Sequence, residues 1–271
     1  MIRLSRILLP TVLLAMSALQ TAAAQHHILV QSTTSTQNSG LYDYLLPIFT
    51  SETGIEVRVV AVGTGQAIRN ATNGDADVLL VHAKAAELAF VASGNGVERF
   101  DLMYNDFVII GPRSDPIQLS DATNLSVALK ILSTSTAVFV SRGDDSGTHQ
   151  KERELWASIG HSPHPSALYR ETGAGMGATL RTTIEMQAYT ITDRATWIAY
   201  GAQKDAMIVF EGDDALFNQY GIIEVNPLQH PHVNLEEAAI FVDWMLSSHG
   251  QNLIGAFTLN GQQLFFPNAE Q

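Results

Sequence analysis

The 271-residue chain contains no cysteine. No disulfide can form, whatever compartment it occupies. A lipid-anchored exported protein would carry a cysteine at its cleavage point, so free diffusion is expected rather than a tether. Basic residues are also scarce. Fifteen Lys and Arg stand against 27 Asp and Glu, for a net charge of -12. That balance argues against nucleic acid and anionic membrane as partners. Long apolar runs are missing too. The longest, Ile7 to Leu19, falls short of the about 20 residues a spanning helix needs.

That run is instead the middle of a secretory signal peptide over 1–24. Arg3 and Arg6 precede it, and Ala22-Ala23-Ala24 follows as an A-x-A cleavage site. The mature chain is expected to start at Gln25, as a monomer free in the periplasm of a Gram-negative cell. Loss of the two leader arginines takes its charge from -12 to -14. Without disulfides, its stability must come from a large core, which about 247 residues can supply.

Strand-like and helix-like segments alternate throughout. His27–Gln31, Ile55–Val62 and Asp77–Val81 read as strands. Gly40–Thr53, Gln66–Asn73 and Lys84–Ser93 read as the helices between and after them. Pro47 must bend or re-pair the first helix. This β-α-β-α-β order predicts a parallel sheet covered by helices. After a strand at Phe107–Gly111, strands at Ala137–Val140, Ala167–Arg170, Tyr189–Thr192, Ala206–Phe210 and Gly221–Val225 are predicted. Helices are predicted at Thr148–Ile159, Gly177–Ala188, Leu235–Leu246 and Gln251–Phe257. The expected fold is α/β with two lobes of mixed sheets flanked by helices. One lobe comprises 25–108 and 223–271, the other 109–222. The chain would cross outward near Phe107–Gly111 and return near Gln219–Asn226.

Four segments between a strand and a helix carry the candidate chemistry. Ser32-Thr33-Thr34-Ser35-Thr36 offers five consecutive hydroxyls. One hydroxyl suffices to cap a helix; several could donate to an anion on the helix N-terminus. Gly63-Thr64-Gly65 repeats that arrangement with glycines that admit a ligand close to the backbone, or simply form a tight turn. Arg142 to Thr148 joins a guanidinium fork to Ser146, Gly147 and Thr148; Asp144 or Asp145 could staple Arg142 in place. Thr172 to Gly177 spaces its glycines as G-x-G-x-G, unlike a dinucleotide fingerprint. It reads as close backbone approach or as a flexible turn. Together these loops lie at strand C-terminal ends, where open α/β sheets bind ligands. The candidate contacts are Thr33, Thr34, Ser35, Thr64, Arg142, Ser146, Gly147, Thr148, Thr172 and Gly175. A site of backbone amides and hydroxyls would also reconcile an anionic ligand with an acidic chain.

Other motifs fail. Gly143-Asp144-Asp145-Ser146-Gly147 carries one aspartate too many for a serine-protease GDSG, and no matching His–Asp framework accompanies it. His149 reads as a solvent-facing side chain. His161-x-x-His164 and His230-x-His232 lack further metal ligands, and Gly74-Asp-Ala-Asp77 is too short for a calcium loop.

The stretches QSTTSTQNSGLYDYLLPIF, VVAVGTGQAIRNATNGDADVLLVHAKAAE, FVSRGDDSGTH, YRETGAGMGATL, ITDRATW and FNQYGIIEVNP run in order along the chain. In that combination the sequence resembles the tungstate-binding proteins of bacterial tungstate ABC transporters. The resemblance implies a type II periplasmic binding-protein fold that closes on its ligand and docks on a membrane permease. It places the family's hydroxyl motif on Thr33, Thr34, Ser35 and Thr36 and its arginine on Arg142. Ser32 stands where a threonine is more common. The RGDDSGT segment is also similar to the anion loop of phosphate-binding proteins, which keeps phosphate as an alternative beside molybdate.

The expected ligand is tungstate or molybdate, with no cofactor and no catalytic residue. Both are unprotonated dianions at neutral pH, so their site should offer only donors. Hydrogenphosphate can use a carboxylate acceptor. An exported phosphoester hydrolase would need an activated nucleophile or a metal, and neither is visible.

Overall fold

The computed structural model describes residues 26–164, 166–201 and 204–270. The signal peptide expected over 1–24 lies outside these residues.

The chain begins with β1 (His27–Thr33), a short helix α1 (Thr34–Asn38) and α2 (Leu41–Thr53). Next come β2 (Glu56–Val62), α3 (Thr64–Thr72), β3 (Val78–Val81) and α4 (Lys84–Ala92). β1 lies between β2 and β3, parallel to both, as the alternation predicts. α2 continues through Pro47 and is closed by Gly54, in the left-handed region at φ 76. The proline forfeits one backbone hydrogen bond. Leu41, Leu45 and Phe49, four residues apart and fully buried, hold the helix against the sheet regardless.

β4 (Gly96–Pro112) is 17 residues long, although only Phe107–Gly111 reads as a strand in the sequence. Charged residues obscure its first half. Arg99 breaks the apolar pattern yet is buried, its Nε donating to Glu87 Oε2 at 2.7 Å. Beyond β4 lie α5 (Leu125–Thr134), β5 (Phe139–Ser141), α6 (Gly147–Ser158) and β6 (Tyr169–Glu171). Then come α7 (Met176–Glu185), β7 (Thr190–Asp193), α8 (Arg194–Tyr200) and β8 (Ala206–Phe210). The chain returns through β9 (Phe217–Val225), α9 (Leu235–Leu246) and α10 (Ser248–Ala256). The hairpin of β10 (Thr258–Leu259) and β11 (Gln262–Gln263) and the short β12 (Phe266–Pro267) complete it. Helices α1, α5 and α8 were not among those expected from the sequence. α1 and α8 each follow a strand without a break; α5 buries Leu125, Ala128, Leu129 and Leu132 at helical spacing behind the N-cap Asn124, a signal the sequence does carry.

The main sheet runs β12-β4-β9-β3-β1-β2. β4 changes partners along its length. Gly96 to Asp106 pair with β9, while Phe107 to Pro112 pair with β7 and β8. β5 and β6 form a separate parallel pair. One core packs Ile28, Val30 and Phe49 against Phe241 and Met245 of α9, with Phe49 and Phe241 edge to face at 5.1 Å. A second gathers Phe107, Leu129, Phe139, Trp156 and Tyr189. The architecture is the two-lobed α/β one expected. Among the described residues no helix is long and apolar enough to cross a membrane.

Candidate functional site

All four chemistry-bearing segments lie where a strand's C-terminal end meets a helix: β1 to α1, β2 to α3, β5 to α6 and β6 to α7. The hydroxyl run is not one loop. Ser32 and Thr33 still belong to β1, and Thr34 opens α1. Ser32 is fully buried, its Oγ donating to the Leu80 carbonyl at 2.8 Å and lying 2.5 Å from the Tyr42 hydroxyl. It acts in packing. Thr33 caps α1: its Oγ1 accepts from Thr36 N and lies 2.8 Å from Thr36 Oγ1 and 3.1 Å from Ser35 Oγ. Ser35 Oγ lies 3.2 Å from His82 Nε2.

Arg142 follows β5 directly. Its side chain is 7 % exposed and donates from Nη2 to Asp144 Oδ2 at 2.6 Å. Its Nε is buried without a partner. Asp144 Oδ1 accepts from Ser146 N at 3.2 Å, so both carboxylate oxygens are committed within the loop. Ser146 caps α6 by accepting from His149 N. His149 also works locally, its Nδ1 accepting from Asp145 N at 3.0 Å. Gly143 is in the left-handed region at φ +61, and a Cβ there would meet Glu171 Cβ at 2.7 Å. Only glycine fits both constraints.

Beneath this loop, Ser141 donates to Glu152 Oε2 at 2.7 Å and Tyr169 donates to Oε1 at 2.5 Å. Burial pushes the Glu152 carboxyl up to about 7, against the opposite pull of these two bonds. The fourth segment braces the third. Gly173 N donates to the Arg142 carbonyl at 2.8 Å. Thr172 Oγ1 lies 2.9 Å from Thr179 Oγ1 and contacts the Ser141 and Arg142 carbonyls. Its hydroxyl is thus engaged within the loop rather than presented to a ligand.

A cavity of about 210 Å³ is lined by Thr34, Ser35, Asn38, Arg142, Gly175, Met176, Gly177, Ala178 and Thr196. No carboxylate lines it. Larger hollows lie over α6 (about 590 Å³) and beside Phe217 (about 710 Å³); each has acidic side chains on its wall, and neither contains the hydroxyl run or Arg142. The structure therefore brings Thr34, Ser35, Arg142 and Gly175 together. Thr33 stands behind Ser35. Ser146 and Thr148 are buried beside Gly147 at the start of α6. Thr64 Oγ1 is buried without a partner, and a Cβ on Gly147 would approach it to 2.7 Å.

Three residues near the site escaped the sequence reading. Asn38 lies on the unanticipated α1. Thr196 lies on α8, where Asp193 accepts from its N at 2.8 Å and its Oγ1 at 2.6 Å. An Asp three residues before the Thr, the N-cap to N3 spacing, was the available signal. His82, just after β3, is 7 % exposed. Burial pushes its imidazole below the usual histidine range; Arg142 pushes the same way, while Asp193 and the bond to Asn218 oppose them. Nothing local in the sequence marks it. Among the described residues no group of three or more His, Asp or Glu is placed to hold a metal ion.

Residues 18–249 match the PBP superfamily domain. The tungstate-binding protein TupA of Peptoclostridium acidaminophilum is 50% identical over 250 residues, covering 91% of this chain and 87% of that one. The structure of the tungstate-binding protein TupA from Desulfovibrio alaskensis superposes with a TM-score of 0.81 at 50% identity, covering 90% of this chain and all of that one. That of the tungstate ABC transporter from Geobacter sulfurreducens gives 0.79 at 46% identity, over 87% of this chain and 100% of that one. The chain belongs to the TupA family of tungstate-binding proteins, within the PBP superfamily.

Proposed function

We propose that this protein captures tungstate, or the nearly isosteric molybdate, in the periplasm and delivers it to the permease of an ABC transporter. The observation that carries the ligand class is the buried Arg142 guanidinium facing a small cavity without carboxylates. An unprotonated tetrahedral dianion offers only acceptors. Burying it requires a complete shell of donors. Thr34, Ser35 and the backbone around Gly175 provide neutral donors, and Arg142 the charge; the Thr196 hydroxyl lines the cavity but gives its own proton to Asp193. Thr64, Ser146, Gly147 and Thr148 would join the shell where the lobes meet. Hydrogenphosphate would want an acceptor for its proton. Asp144, the nearest candidate, already accepts from Arg142 and Ser146 N.

We place the junction of the lobes where β4 changes partners, between Asp106 and Phe107, and where β9 starts at Phe217. This lies a few residues from the boundaries expected from the sequence. The relatives' role in transport supports a permease as partner, and the leader-like start supports export. The acidic surface does not conflict with an anionic ligand, because the site works through local dipoles and one cation.

Isothermal calorimetry of the ligand-free protein with tungstate, molybdate, sulfate and phosphate tests this. Tungstate and molybdate should bind at one per chain, sulfate and phosphate far more weakly. Phosphate binding as tight as tungstate would overturn the ligand assignment.

A further inference from the structure

A buried polar chain leads from the lobe junction to the hydroxyl run. Asn105 of β4 and Asn218 of β9 are cross-strand partners, and Asn218 Nδ2 lies 2.6 Å from Asn105 Oδ1. Asn218 Oδ1 lies 3.1 Å from His82 Nδ1, and His82 Nε2 lies 3.2 Å from Ser35 Oγ. All four residues are at least nine-tenths buried. With the amides set this way, the imidazole must donate from Nδ1 to Asn218 and accept at Nε2. Ser35 then gives its only proton to His82 and has none for an anion. Two buried groups are also stranded. Asn105 Nδ2 and the Tyr220 hydroxyl have no partner, although the Asn105 amide is close enough to act on that hydroxyl. Each stranded donor is costly in a dry interior.

Turning both amides end for end keeps every heavy-atom separation and exchanges only nitrogen and oxygen. Asn105 Nδ2 can then donate to Asn218 Oδ1 across the same 2.6 Å. Asn218 Nδ2 can donate to His82 Nδ1. The imidazole proton moves to Nε2 and points at Ser35 Oγ. Ser35 accepts it and keeps its own proton for the ligand. The stranded Asn105 amide gains a partner in the same step. We infer that Asn105, Asn218 and His82 form a one-way donor relay that fixes Ser35 as a donor, making His82 a positioning residue that favours fully deprotonated tetrahedral anions. In the opposite polarity Ser35 would present lone pairs, which suit the proton of hydrogenphosphate. Burial keeps the imidazole neutral, which makes its single proton decisive. The charged groups acting on it are Asp193 and Arg142, of opposite sign.

The inference rests on Ser35 as an anion contact, and the test separates the two. The imidazole nitrogen spectrum of His82 in the tungstate-loaded, ¹⁵N-labelled protein should show Nε2 protonated and Nδ1 bare. A proton on Nδ1, or on both nitrogens, with tungstate bound overturns the relay alone. No tungstate binding by the wild-type protein counts against the proposed ligand instead. A second readout is energetic. Ser35→Ala and His82→Leu should each weaken tungstate about tenfold or more, and the double variant little further, because both break one donor path. Independent, additive losses would overturn the relay. If His82→Leu fails to fold, the nitrogen spectrum decides.

Discussion

Gly147, at the start of α6, stands directly against Thr64, at the start of α3: a Cβ on Gly147 would lie 2.7 Å from Thr64 Oγ1 and 3.2 Å from His82 Cε1. The two helix starts come from opposite sides of the β4 partner change, so with the junction proposed there this contact is one between the lobes. Gly147→Ala should prop the lobes apart without unfolding either core. Solution scattering should show less compaction on adding tungstate than in wild type, with weaker affinity by calorimetry. Wild-type compaction and affinity in this variant would show that the contact does not limit closure.

Arg142→Ala should weaken tungstate about a hundredfold or more, since it removes a charge and at least one charge-assisted bond, each worth about 1.5–3 kcal/mol. Asp144 is left at a partly exposed position, still accepting from Ser146 N, so the fold should persist. Arg142→Lys should recover part of the loss, because a point charge replaces a fork whose other arm rests on Asp144. Calorimetry with circular dichroism as the folding control checks both, and full affinity in Arg142→Ala would remove this residue from the site.

Tungstate should raise the melting temperature while sulfate leaves it unchanged. Ligand at a thousandfold excess over Kd adds about 4 kcal/mol to the native state, which for a chain of this size is a shift of about 10 °C. Differential scanning calorimetry reads it directly, and equal shifts from phosphate and tungstate would favour the phosphate alternative.

Glu152 predicts a pH dependence of stability. Its folded-state value is raised to about 7 by burial, above that of an exposed carboxyl, so the native state holds this proton more tightly than the unfolded chain does. Its contribution is present below the ordinary carboxylate range and is lost as pH rises through about 7. Glu152→Gln should flatten that decline in melting temperature. An unchanged slope would assign the pH dependence to other groups.

The alternation of strands and helices, the parallel pairing of β1, β2 and β3, and the four strand-to-helix segments were legible in the sequence. They follow from local periodicity and from glycine and hydroxyl residues at element ends. The first half of β4 was not, because Arg99 reads as exposed until Glu87 is brought beside it from twelve residues away. Thr172 could not be told from a ligand contact, since its partners Ser141 and Arg142 are about thirty residues distant.

By itself the sequence determined the class: an α/β chain without disulfides, acidic overall, with hydroxyls, glycines and one arginine at strand ends. Those are properties of composition and of neighbours along the chain. Only the tertiary structure decided which hydroxyls face the cavity and which are consumed in packing, as Thr34 and Ser35 differ from Ser32 and Thr172. It also decided that His82, Asn218 and Asn105 meet behind Ser35. Such choices depend on partners far apart in sequence, for which no local pattern exists. The direction in which a hydroxyl donates is set by whatever buried group lies next to it.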